Sequence, residues 1–143
     1  MNYFFSVILS FFCLSNLSAQ ATNADPAQAL TERLTKLYQL DTYQQKEMYR
    51  IQQRFQEQLS SIAAFRETQP ELFRQKRRTI LSGRQLAVRR LLHEEQLLRY
   101  NEQQAIFRKR RAKHLAKLQA EKASVAEIED RLFELETGSL KGN

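Results

Sequence analysis

The sequence predicts an all-α protein built from elongated helical hairpins, with about four to five helices. Gln, Glu, Arg, Lys, Leu and Ala dominate its composition, as is typical of long helices. Apolar side chains recur at helical spacing in each segment after residue 25, and no segment shows the alternation of a β-strand. The chain has only two Pro and three Gly, so few residues interrupt a helix.

Residues 1–19 are predicted to be a secretory signal peptide. An apolar run from Tyr3 to Leu14 precedes a small-residue cleavage sequence at 17–19, and the run is too short to span a bilayer. No Lys or Arg precedes the run, so an uncleaved anchor is the alternative. The sequence therefore predicts export.

The rest of the chain is one domain's worth of sequence. The helical domain covers residues 20–137, including an additional acidic helix at about 124–137, and a disordered tail is expected over 138–143. The single cysteine, Cys13, leaves with the signal peptide, which excludes disulfides and thiolate metal sites from the mature chain. So short a chain is not expected to bury a thick core alone, which favours a thin helical layer or a dimer.

A first helix is predicted to begin at the capping residue Asp25, with Pro26 at its first position. It ends near Gln39, and its apolar stripe is formed by Leu30, Leu34 and Leu37. A second helix begins at Asp41, and its apolar face carries Met48, Ile51, Phe55, Leu59, Ile62 and Phe65.

The second helix is expected to end at Thr68, because the residue before a proline avoids helical backbone angles. Pro70 then opens a third helix that continues to Leu91. Gly83 lies in its middle, where it costs about 1 kcal/mol relative to Ala. This glycine indicates either a close helix contact or bend, or simply a tolerated surface position.

A fourth helix is predicted after His93, with a seven-residue register of Leu97, Tyr100, Gln104, Phe107, Arg111, His114 and Leu118. Ser124 and Glu127 form a capping box that predicts another helix start. The apolar residues from Val125 to Leu135 nevertheless keep the same register. One long helix and two collinear helices with a joint near Ala123 therefore both fit, and the joint is favoured.

Charge is unevenly distributed along the chain, whose net charge is +7. Between Arg74 and Lys117 fourteen Lys or Arg face only three Glu, whereas six acidic residues face three basic ones after Lys117. A basic field of this kind speeds encounters with anionic partners and is weakened by salt. Two roles are open for the acidic helix at about 124–137: shielding the basic segment within the chain, or mediating dimerisation.

Helical spacing places several basic residues beside aliphatic ones. One interpretation of this pattern is structural: the long Arg stems lie along the edge of the core. The functional interpretation is a surface that loosely holds unfolded chains, with client-binding candidates Arg77, Leu81, Arg84, Val88, Arg108 and Arg111. The run from Arg108 to Arg111 alone could bind nucleic acid or a heparin-like polyanion, but export makes nucleic acid an unexpected partner.

A similar short motif precedes each of two long predicted helical stretches. Each has a leucine, a capping position and a glutamine three residues after the cap: Leu40, Asp41 and Gln44 in the first, Leu92, His93 and Gln96 in the second. Asp is a strong cap and His a poor one. The pair resembles the LTxxQ signature of the Spy/CpxP-like periplasmic proteins, with Asp or His standing where that signature has Thr.

This resemblance implies a curved helical cradle in the periplasm, often a homodimer. Proteins that look like this act as ATP-independent chaperones for unfolded or misfolded envelope proteins, or as envelope-stress regulators. Two other functions stay open: a regulatory partner of an envelope sensor kinase, and a structural protein that binds lipid headgroups or other polyanions.

No enzymatic activity, cofactor or metal is expected. The sequence has no nucleophile elbow, Gly-rich phosphate loop or HExxH motif. Its histidines, His93 and His114, are far apart along one helix. Glu94 and Glu95 resemble an acid pair, but at a helix N-terminus they are explained by the helix dipole.

Overall fold

The computed structural model describes residues 25–138, and every regular element in this range is a helix. The predicted all-α class is therefore confirmed, whereas the predicted dimer remains a prediction. The predicted signal peptide, residues 20–24 of the predicted domain and nearly all of the predicted tail lie outside the described residues. In chain order the helices are α1 Pro26–Tyr38, α2 Thr42–Ser61, α3 Phe65–Thr68, α4 Pro70–Leu91, α5 Glu94–Ala120 and α6 Val125–Thr137.

Six helices replace the predicted four to five because the predicted second helix is interrupted after Ser61. The amides of Ile62 and Ala63 bond to the carbonyls of Leu59 and Ser60, three residues back, at 3.3 and 3.1 Å. Such a tight turn breaks the α-helical ladder. The Ser61 hydroxyl adds to the break by donating to the Gln58 carbonyl at 2.8 Å, a bond that competes with the backbone ladder.

The other predicted boundaries agree with the structure. Asp25 caps α1 by accepting from the Ala27 amide at 2.9 Å, and Gln39 ends the helix in the left-handed conformation. Gln69, before Pro70, has non-helical angles of −144° and 67°, as expected for a residue that precedes proline. Gly83 is exposed in an uninterrupted α4, with no neighbour within 4 Å of where a Cβ would lie, so it is a tolerated surface glycine.

The joint near Ala123 is confirmed, but α5 and α6 are not collinear. The chain reverses at residues 121–124, with Lys122 in the left-handed region at a φ of 57°, and Ser124 caps α6. Arg111 of α5 then lies opposite Glu136 of α6, with Nε and Oε1 3.0 Å apart. The two helices therefore form an antiparallel hairpin, because a left-handed residue turns the chain out of the helical path.

The core lies where the ends of α1 and α4 meet the starts of α2 and α5. Its buried members are Tyr38, Leu40, Met48, Val88 and Leu92, with Leu34, Ile51, Leu91, Leu97 and Tyr100 packed against them. From this core α2 and α4 run side by side as an antiparallel hairpin, and α1 packs against α2. This small core holds together helices that are otherwise exposed on one side.

Candidate binding groove and the paired helix caps

The glutamines of the two motifs, Gln44 and Gln96, form a reciprocal amide pair. Gln44 Nε2 donates to Gln96 Oε1 at 2.7 Å, and Gln96 Nε2 donates to Gln44 Oε1 at 2.9 Å. Each Nε2 also donates to the carbonyl just before the leucine of the other motif: Gln44 to Leu91 at 2.9 Å and Gln96 to Gln39 at 3.3 Å. The two motifs are thus related by an approximate two-fold arrangement.

The same amide oxygens complete the helix caps. Gln44 Oε1 accepts from the backbone N–H of Asp41 at 3.1 Å, while Asp41 Oδ1 accepts from the backbone N–H of Gln44 at 2.8 Å. Gln96 Oε1 accepts from the His93 amide at 2.9 Å. Gln44 is fully buried, yet both of its donors and both lone pairs of its oxygen are used. The motif glutamines therefore join the starts of α2 and α5 and the ends of α1 and α4.

The motif leucines, Leu40 and Leu92, are buried at 5 and 6 % exposure in the core beneath this amide pair. Buried leucines and a fully bonded glutamine pair give these positions a structural role. The sequence predicted the caps but not their partnership, because nothing local indicates that residues 52 positions apart are in contact.

The predicted client-binding residues of α4 are mostly inside the molecule. Arg77, Leu81 and Val88 are buried at 5, 6 and 7 % exposure, and Arg84 is mostly buried. They lie along one stripe of α4, as their spacing predicted. An open surface made of these side chains is not present in this conformation.

Arg77 is covered by α6. Its NH1 lies 2.7 Å from Asp130 Oδ1, and its guanidinium carbon lies 4.3 Å from the ring centre of Phe133 and 5.5 Å from that of Phe73. Its Nε is buried without a hydrogen-bond partner. An orphaned donor of this kind costs about 1–3 kcal/mol, so α6 satisfies this arginine only in part.

Arg84, about two helical turns further along α4, has a different environment from that of Arg77. Its guanidinium carbon lies 4.2 Å above the Phe55 ring, and within residues 25–138 it makes no ion pair. Burial lowers the pKa of Arg84, and the field of Glu136 partly opposes that shift. The group stays charged, since an arginine begins so far above neutral pH. It is therefore a desolvated cation held by an aromatic face.

Arg84 lines a groove of about 330 Å³ between α1, α2, α4, α5 and α6. Among residues 25–138 the only other charged residues along the groove are Arg33, Arg110 and Glu136. Neither Arg33 nor Arg110 forms an ion pair within that range. Its apolar walls come from Leu30, Leu34, Leu37, Tyr38, Val88, Tyr100, Ile106, Phe107 and Leu135. Polar side chains also line it, among them Gln52, Gln85, Gln103 and Gln104. The groove thus combines apolar and polar walls with a net positive charge, a combination suited to anionic amphipathic ligands.

The two remaining candidates, Arg108 and Arg111, are exposed on α5. Arg111 is paired with Glu136, whereas Arg108 makes no ion pair in the described part of the chain. Sequence reasoning missed the groove residues Arg33 and Arg110. The signal for Arg33 was its place inside the leucine stripe of the first helix; Arg110 had none beyond its basic run.

Residues 25–138 contain no cluster of three or more His, Cys, Asp or Glu that could hold a metal ion. None of the helices in that range is both long enough and apolar enough to cross a membrane. No protein-family model, curated protein or solved structure matches the chain.

Proposed function

We propose that this protein is an exported, ATP-independent chaperone or envelope-stress protein of the periplasm that holds unfolded or misfolded clients in the groove. The observation that carries the proposal is a set of three arginines, Arg33, Arg84 and Arg110, that form no ion pair within residues 25–138 and line a groove of mixed apolar and polar walls. The resemblance of the two motifs to the Spy/CpxP-like family supports the same function.

Binding would proceed in two steps that need no nucleotide. The cationic groove first attracts acidic segments over about a Debye length, ~10 Å at 0.1 M salt. Leucine and aromatic side chains then give apolar contacts of modest area, so that the client is released easily. Held clients keep their apolar segments from one another, which slows aggregation.

The test is suppression of aggregation of a chemically unfolded protein at low and high salt, without ATP. The groove variant Arg33→Gln with Arg110→Gln removes two exposed guanidinium groups and leaves the core intact. Its matched control, Arg54→Gln with Arg90→Gln, removes the same charge from exposed positions outside the groove. We expect near-stoichiometric suppression that salt weakens, and that the groove variant loses while the control keeps it.

Equal loss in both variants would contradict a groove and indicate a net-charge effect. No suppression by the unaltered protein would overturn the chaperone function and favour a regulatory partner of an envelope sensor. The exposed run from Arg108 to Arg111 supports a second candidate, binding to lipid headgroups or other polyanions. Sedimentation with anionic vesicles, in the absence of any preference for unfolded protein, would identify that case. Analytical ultracentrifugation tests the proposed homodimer.

A further inference from the structure

Helix α6 covers the N-terminal part of α4, where Arg74, Arg77 and Arg78 lie. Asp130 and Phe133 lie on Arg77, while Glu129 lies 3.7 Å from Arg74 Nε and 3.6 Å from Arg78 NH1. Helices α4 and α6 meet mainly through these long side chains. The contact is acidic and aromatic on one side and cationic on the other.

This cover is incomplete in three respects. Arg77 Nε and Glu129 Oε2 are buried without hydrogen-bond partners. A cavity of about 370 Å³ remains between α4 and α6, lined by Phe73, Arg77, Asp130 and Phe133 among others. The connection to α5 passes through Lys122, whose left-handed backbone is unfavourable for a residue with a side chain. Because this interface leaves buried polar groups unbonded, leaves space unfilled and depends on a strained hinge, another ligand can displace α6 from α4.

We infer that α6 is a built-in competitor for a second client-binding site on α4, and that the site takes acidic peptide segments with an aromatic residue about three positions after the acid. The inference rests on the proposed function, since it names the chemistry of the clients and how the surface is regulated. Such a segment reproduces the contacts of Asp130 and Phe133 and displaces α6. Displacement joins the Arg77 region to the groove at Arg84, because α6 also supplies one wall of that groove through Leu135 and Glu136.

The direct test supplies α6 in trans. A fluorescent peptide of residues 124–137 is titrated against the full mature chain and against Asp130→Asn with Phe133→Ala, and anisotropy reports binding. The matched control is Glu121→Gln with Val125→Ala, which makes the same kinds of change at exposed positions outside the contact. A peptide carrying the two changes corresponding to Asp130→Asn and Phe133→Ala tests specificity.

We expect the double variant to bind the peptide about tenfold more tightly than the unaltered chain or the control, because apparent affinity rises with the fraction of uncovered sites. The altered peptide should bind weakly to every form. Equal affinity for the three proteins would overturn the inference, as would equal affinity for the two peptides. Circular dichroism verifies that the variant retains its helices.

Hydrogen exchange gives a second readout that requires no variant. Adding the unlabelled peptide to the unaltered chain should speed amide exchange in residues 125–137 and slow it around Arg77. Unchanged or slower exchange in residues 125–137 would contradict displacement. Peptide binding without aggregation suppression would refute the chaperone proposal alone, whereas suppression without peptide binding would refute only the role of α6.

Discussion

Replacing Gln44 with Ala tests how strongly the amide pair holds the helix junction. The substitution removes four side-chain hydrogen bonds of a residue that has no exposed surface. The Leu91 carbonyl and the Gln96 amide lose partners where water has poor access, at about 1–1.5 kcal/mol each. The Asp41 amide loses its cap, which costs a further ~0.5 kcal/mol because that residue is exposed.

These losses predict a free energy of unfolding about 3 kcal/mol lower for Gln44→Ala. At a urea dependence of about 1.5 kcal/mol per M, the unfolding midpoint should fall by about 2 M. Gln96→Ala should cost about half as much, because water can reach the half-buried Gln96. A double-mutant cycle should give a coupling of about 1–2 kcal/mol between the two glutamines.

Urea unfolding followed by circular dichroism measures these values. The control is Gln56→Ala on an exposed position of the same helix, which we expect to change stability by less than about 0.5 kcal/mol. A Gln44→Ala midpoint within about 0.3 M of the control would refute the amide pair as a stabilising junction. So would additive effects of the two glutamine substitutions, because groups that share hydrogen bonds must be coupled.

Three further predictions concern a glycine, a helix cap and an ion pair. Gly83→Ala should stabilise the protein by about 0.5–1 kcal/mol in urea unfolding, because the added methyl meets open space within a helix, and destabilisation would indicate a contact there. The hydrogen bond donated by Tyr49 lowers the pKa of Asp25, so the stability that Asp25 contributes is present above its unfolded pKa and is lost as pH falls through its folded pKa. Melting temperatures of Asp25→Asn and the unaltered chain should therefore differ at pH 7 and converge near pH 2, and a constant difference would contradict this linkage. Arg77→Met should leave the free energy of unfolding nearly unchanged, whereas Asp130→Ala should lower it by about 1–2 kcal/mol in urea unfolding. The reason is that only Asp130→Ala leaves a buried cation unpaired. Equal losses in the two variants would contradict this prediction.

Helix starts and stops could be predicted because each depends on residues within about four positions. The capping boxes at Asp41 and Ser124 and the break before Pro70 all lie where the sequence placed them. The interruption after Ser61 was missed, because an apolar periodicity that continues through Ile62 hides a single tight turn. The groove was missed for a different reason: its walls come from five helices whose mutual arrangement no local pattern specifies.

The sequence by itself determined the helical class, most helix boundaries and the stripe that aligns Arg77, Leu81, Arg84 and Val88. The tertiary structure alone decided which of these side chains are covered. It turns α6 back at Lys122, so that Asp130 and Phe133 bury Arg77 while Arg84 lies above Phe55 in the groove. The physical reason is that backbone capping is satisfied within one turn, whereas the pairing of a cation with a distant carboxylate or ring depends on the path of the whole chain.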